Sequence, residues 1–210
     1  MERQADNCGD CSDQKEDAHL FPHLKPQVSS LKPSPITAYV AVGSNIQPER
    51  FIPQAMELLR RQVRVTATST FFRSAAEGRP GQPAFVNGAW QIRTSLEPRP
   101  LKFEVLRRIE DQLGRRRQSP DKFADRTIDL DLVLYDERMM DEPDMVIPDP
   151  GIARPFVAVP LLELAPGLVL PDGRPLAELP GAADRKGLVP LADLTMLLRA
   201  ALRQDVRTQE

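Results

Sequence analysis

The run "DRTIDLDLVLYD", residues 125–136, constrains this chain most, because it reads as a buried β-strand yet carries two aspartates two residues apart. Side chains alternate between the faces of a strand. Ile128, Leu130, Leu132 and Leu134 are therefore expected on one face, and Asp129, Asp131, Val133 and Tyr135 on the other. Two carboxylates roughly 6 Å apart repel by on the order of 3 kcal/mol at an effective dielectric of about 20. Such a face calls for a positive partner, and hard oxygen donors favour Mg²⁺ over zinc or copper.

The placement of the other reactive side chains narrows the chemistry. Cys8, Cys11, His19 and His23 are the only cysteines and histidines, so residues 24–210 hold neither type. Ser-His-Asp and Cys-His nucleophilic catalysis are thereby removed from the main body, as is His/Cys-ligated zinc. Carboxylates, arginines, hydroxyls and amides remain, a set suited to magnesium and phosphates. The C-x2-C-x7-H-x3-H spacing at the start has zinc-ligand types but lacks the length and apolar core of a finger; a disordered tail over 1–35 is the expectation. A net charge of −2 announces neither a nucleic-acid nor a membrane partner. Without an apolar run of about 18 residues or a signal segment, a cytoplasmic protein is expected.

Beyond the tail the periodicities alternate. "TAYVAVGSN" reads as a strand, "PERFIPQAMELLRRQ" as a helix, and 63–74 and 83–95 as two further strands. A helix then opens after Pro98 and Pro100 and stops at Gly114, ahead of the aspartate strand. The order βαββαβ predicts an α+β fold, a ferredoxin-like antiparallel sheet with helices on one face. Residues 36–180 are expected to form that domain. A loop with a short helix follows the aspartate strand, then a hairpin about Asp172-Gly173. Residues 181–210 form a C-terminal helical extension; a monomer is expected, with this helix as an alternative self-association face.

Two further groups accompany the aspartates. Arg107, Arg108, Arg115, Arg116, Arg117, Lys122 and Arg126 precede them closely, so a polyphosphate could be clamped between arginines and Mg²⁺; no P-loop is present. Phe85 and Asn87 share one face of their strand, and Phe156 lies in the later loop-helix.

In "AYVAVGSN", "STFFRS", "FVNGA", "RIEDQLGRRR" and above all "RTIDLDLVLYD", taken in order, the sequence resembles the 6-hydroxymethyl-7,8-dihydropterin pyrophosphokinase family. The last stretch matches the family signature R-x-[ILV]-D-[IL]-D. The resemblance implies an enzyme of folate biosynthesis that moves a pyrophosphoryl group from ATP to the pterin hydroxymethyl, releasing AMP. It further implies two Mg²⁺ ions at Asp129 and Asp131, and catalytic roles for these residues with Arg115 and Arg126. ATP is expected at Glu110, Arg117, Lys122, Arg126 and Arg154, and the pterin at Ser74, Ala75, Glu77, Phe85, Asn87 and Phe156. Three departures stand out: Ala124-Asp125 where the family has Gly-Pro, Asp149 where it has histidine, and a loop one residue shorter before Arg154. They leave open a catalytically weakened pterin- or nucleotide-binding relative.

Overall fold

The computed structural model describes residues 34–76, 81–115 and 124–206. The four ligand-type residues of the tail, together with Glu77, Arg117 and Lys122, lie outside them. Strand β1 (Ile36–Ser44) is central: it pairs with β4 (Phe85–Thr94) on one side and β5 (Asp129–Tyr135) on the other, both antiparallel. The segment expected as one second strand is two, β2 (Arg64–Thr68) and β3 (Phe72–Ser74), both antiparallel to β4. Between them the backbone N–H of Ser69 donates to the Ala89 carbonyl, and the Ser69 hydroxyl accepts from the Ala89 N–H at 2.9 Å. This break lets the Phe71 ring turn inward over Gly88, where an added Cβ would meet the ring at 2.8 Å.

Helix α1 (Pro48–Arg60) buries Ile52, Ala55, Met56 and Leu59, a spacing of three and four that draws one apolar stripe against the sheet. Pro48 begins it, while Pro53 falls inside it. Helix α2 runs through Pro98–Pro100, Leu101–Leu106 and Arg107–Gln112, its middle segment widened to i→i−5 hydrogen bonding, as where the Arg107 N–H reaches the Lys102 carbonyl. Gly114, at φ +80°, ends it in a conformation that suits glycine.

The sheet's two faces carry different cores. Ala38, Val40 and Val42 of β1, with Leu130 and Leu132 of β5, meet α1 and α2. On the opposite face Tyr39, Ala41, Ala89 and Val133 meet α3 (Pro155–Leu164), through Val157, Ala158 and Leu161. The expectation of helices on one face therefore holds for α1 and α2 but not for α3, whose apolar run is buried nearly all round. Expected alternation along β5 also fails at its end. The register with β1 shifts between Tyr39 and Val40, which pair with Leu134 and Leu132. Val133 is the extra residue of a bulge, so Leu134 joins Val133 on the α3 side and Tyr135 turns into the other core.

A two-stranded hairpin that the sequence reading missed, β6 (Met140–Glu142) and β7 (Met145–Ile147), follows β5. The expected turn at Asp172-Gly173 is present: the Gly173 N–H donates to the Leu170 carbonyl, and Val169 bridges to Pro175. At the C-terminal end, β8 (Val189–Pro190) adds to β3, and α4 (Ala192–Val206) sets Leu194 and Leu198 into the α1 side core.

Candidate active site

The floor of the site is the sheet face that α3 leaves open. Register places Asp129 of β5 opposite Gly43 of β1, and Gly43 opposite Asn87 of β4. Asp131, Ala41 and Ala89 form the next row. The small residues of β1 keep the floor low between the acids and the amide. A Cβ at Gly43 would stand 3.0 Å from Asn87 Oδ1 and 3.8 Å from Asp129 Cβ.

A cleft of about 760 Å³ rises from this floor. One wall comes from the end of β3 and the loop after it, with Ser74, Ala75 and Gln82; the other from Asp149, Pro150 and Gly151 and the start of α3, with Arg154 and Phe156. Asp129, Asp131, Arg126, Phe85 and Asn87 complete it. Nine of the residues implicated by sequence, Ser74, Ala75, Phe85, Asn87, Arg126, Asp129, Asp131, Arg154 and Phe156, thus meet in one cavity. Ser74 sits opposite Phe85, and its hydroxyl accepts from Asn87 Nδ2 at 3.2 Å, which fixes the amide. The Arg154 guanidinium lies over the Phe156 ring, 5.8 Å from its centre.

Of the two carboxylates, Asp129 has arginines as positive partners. Arg115 and Arg126 both form ion pairs with Asp129, one to each oxygen. Asp131 faces the solvent of the cleft, yet protein surrounds the cleft on most sides. Desolvation there, then the charges of Asp129 and Asp149, push its carboxyl up to about 7, against the pull of Arg115 and Lys102. The water that reaches Asp131 moderates this elevation.

Glu110, expected as a nucleotide contact, and Arg115, expected in catalysis, lie outside the cleft wall. Glu110 is 1% exposed and absent from the cleft wall: its Oε1 accepts from the Leu130 N–H at 2.7 Å and pairs with Arg115. Being on the last turns of α2 and facing β5, it is drawn inward by the cation and the edge-strand donor. Arg115, between Glu110 and Asp129, also stands behind the cleft rather than in its wall.

Sequence reading passed over the groups that hold the cleft's rim. Asn45 Oδ1 accepts from the Arg126 N–H at 2.7 Å, while its Nδ2 donates to Asp125 Oδ1 at 2.7 Å. Gln82 Nε2 donates to the same Asp125 oxygen at 2.8 Å, and the Ser44 hydroxyl donates to the Thr127 carbonyl at 2.7 Å. Polar Ser44 and Asn45, closing an apolar strand, were the signal for this tether. Asp149 uses its own carboxylate to accept from the Gly151 N–H at 2.7 Å, shaping the turn before Arg154.

Comparison with known proteins gives a consistent result. Residues 39–166 match the family model described as 7,8-dihydro-6-hydroxymethylpterin-pyrophosphokinase. The 2-amino-4-hydroxy-6-hydroxymethyldihydropteridine pyrophosphokinase of Pseudomonas aeruginosa is 40% identical over 154 residues, covering 71% of this chain and 93% of the relative. The enzymes of the same name from Haemophilus influenzae and Bacillus subtilis are each 37% identical, over 148 and 131 residues. The first alignment covers 69% of this chain and 91% of the relative, the second 60% and 77%.

Proposed function

The chain belongs to the 7,8-dihydro-6-hydroxymethylpterin-pyrophosphokinase family, and from that premise we propose that it transfers the pyrophosphoryl group of ATP to the hydroxymethyl group of 6-hydroxymethyl-7,8-dihydropterin, a step of folate biosynthesis. The observation that carries this reading is the row Asp129, Gly43, Asn87 across three strands of one cleft floor. Asp129 and Asn87 are two strand spacings apart, about 10 Å. That span suits a planar pterin at Asn87 whose exocyclic carbon points toward a phosphate chain at the acids.

In this reading Phe85 and Phe156 offer apolar surface to the pterin, Asn87 hydrogen-bonds its edge, and Ser74 and Ala75 close the pocket from the side. Glu77 is assigned to the same pocket by family resemblance. Arg126 and Arg154 face the phosphates, with Arg117 and Lys122 joining them on the same grounds; Arg115 acts from behind Asp129. The residues fit a hard cation: two carboxylates share one face, the floor beside them is cleared by Gly43 and Ala41, and neither imidazole nor thiolate lies among residues 24–210. Two Mg²⁺ ions are proposed there, supplying charge neutralisation of the triphosphate when bound. The hydroxymethyl oxygen attacks the β-phosphorus, the bond from that phosphorus to the α,β-bridging oxygen breaks, AMP leaves, and the hydroxyl proton passes to solvent. Arginine positioning rather than a dedicated protein base carries the step.

The fold supports the same reading. We read the order β5–β1–β4 with β2 and β3 outside β4, the paired strands antiparallel, as support for the ferredoxin-like core expected from sequence, with α3, β8 and α4 as additions to it.

The test is direct. The protein incubated with ATP, Mg²⁺ and 6-hydroxymethyl-7,8-dihydropterin is expected to yield one AMP per pterin consumed. ADP in place of AMP, or no nucleotide turnover, rejects the assignment.

A further inference from the structure

Glu110 sits where a carboxylate is costly to bury, and the Leu130 N–H and Arg115 are among the groups that hold it there. The Leu130 N–H comes from the residue between the two aspartates, on the edge strand of the sheet, where no neighbouring strand accepts it. Arg115 supplies the charge, and one of its terminal nitrogens, Nη1, contacts Glu110 and Asp129 together. The Arg115 cation is therefore shared between two anions, one buried and one facing the cleft, the latter also holding Arg126. Were Glu110 neutral, that guanidinium would rest on Asp129 alone and compete with any other cation for it.

We infer that Glu110 is a positioning residue that sets the charge available at Asp129, dividing the Arg115 guanidinium between two acids so that a divalent cation can compete for the cleft-facing one. This rests on the assignment of Asp129 as a metal ligand. It replaces a direct nucleotide contact for Glu110 with an indirect role, and it predicts effects of opposite sign on cations and anions.

Glu110→Gln isolates the charge, because the amide oxygen can still accept from the Leu130 N–H and the side-chain volume is kept. Two titrations read it, neither requiring turnover: Mn²⁺ alone followed by electron paramagnetic resonance, and ATP alone in excess chelator followed by calorimetry. The variant is expected to bind Mn²⁺ about tenfold more weakly and metal-free ATP several-fold more tightly, since one elementary charge acts on a dication and a polyanion with opposite sign. Asp111→Asn, at the exposed next position of the helix, is expected to move either affinity by no more than about twofold. A merely structural role would weaken both ligands, so parallel loss, or an unchanged Mn²⁺ affinity, overturns the inference. Should Glu110→Gln melt below the titration temperature, Arg115→Gln takes its place with the signs reversed, Mn²⁺ tighter and ATP weaker; unchanged Mn²⁺ affinity there overturns the inference equally. Asp129→Asn separates the layers. If it leaves the parental Mn²⁺ titration unaltered, the metal assignment itself falls; if it abolishes the site while Glu110→Gln changes nothing, only the role of Glu110 falls.

Discussion

At Asp131, desolvation in the cleft and two like charges act in the same direction, pushing the carboxyl up to about 7 from the 3.8 of a free aspartate, an elevation that water on its exposed side moderates. Between those values the folded state binds the extra proton, so stability falls as pH rises through that window. The metal-free protein is therefore expected to lose melting temperature from about pH 4 to 7, and Asp131→Asn to flatten that part of the profile; thermal melts in chelator across the range decide it. Asp149 contributes to the same negative field, and its carboxylate also caps Gly151. Asp149→Asn can keep that hydrogen bond while removing the charge, so binding of a non-hydrolysable ATP analogue with Mg²⁺ should tighten modestly. Arg154→Ala should weaken it by about 1.5–3 kcal/mol, the range for a lost hydrogen bond to a charged group. Equal affinities in all three proteins would show that this turn does not reach the nucleotide. The aspartates were legible in sequence because alternation alone puts them side by side. The inward turn of Glu110 was not, since it depends on how close the end of α2 comes to the edge of β5.

Elements that follow simple periodicity were read correctly in kind: β1, α1, β4, α2 with its stop at Gly114, and the C-terminal helix, although α2 already begins at Pro98 and α4 only at Ala192. Two of the misses arise from contacts distant in sequence. The β2–β3 break answers to the Ser69–Ala89 pairing and to the Phe71 ring over Gly88, and the β5 bulge answers to packing of Leu134 beside α3. The hairpin β6–β7 is too short and too acidic to announce itself as strands. At the break, the Phe71 N–H donates to Thr195 Oγ1 at 3.0 Å, tying α4 to the sheet in a site that is 3% exposed at Thr195. Thr195→Val leaves that N–H without its partner and is expected to cost about 1–3 kcal/mol in urea unfolding. Gly88→Ala should cost about 1–3 kcal/mol by overpacking against the Phe71 ring. A loss below about 0.5 kcal/mol in either variant would mean that the break is not fixed by these contacts.

For the molecule as a whole, the sheet separates two tasks. One face carries the larger core, with α1, α2 and α4, and the other is shared between α3 and the cleft. Among the described residues no helix is long and apolar enough to cross a membrane. The cleft is built from residues 41–157, and β1 is anchored as early as Pro35, whose carbonyl accepts from Arg93. Deleting residues 1–33 is accordingly expected to leave AMP formation unchanged, and a loss accompanied by stoichiometric zinc in the full-length protein would reverse that view. The central claim is that Asp129 and Asp131 together hold the metal on which pyrophosphoryl transfer depends. Its most direct measurement is the AMP release rate of Asp129→Asn and Asp131→Asn at saturating ATP, pterin and Mg²⁺, with circular dichroism to establish that each remains folded. The account predicts a fall of at least about a hundredfold in both, the scale on which electrostatic stabilisation of a transition state is lost. A folded variant that kept its rate within about twofold of the parent, a difference of only about 0.4 kcal/mol in the barrier, would contradict it.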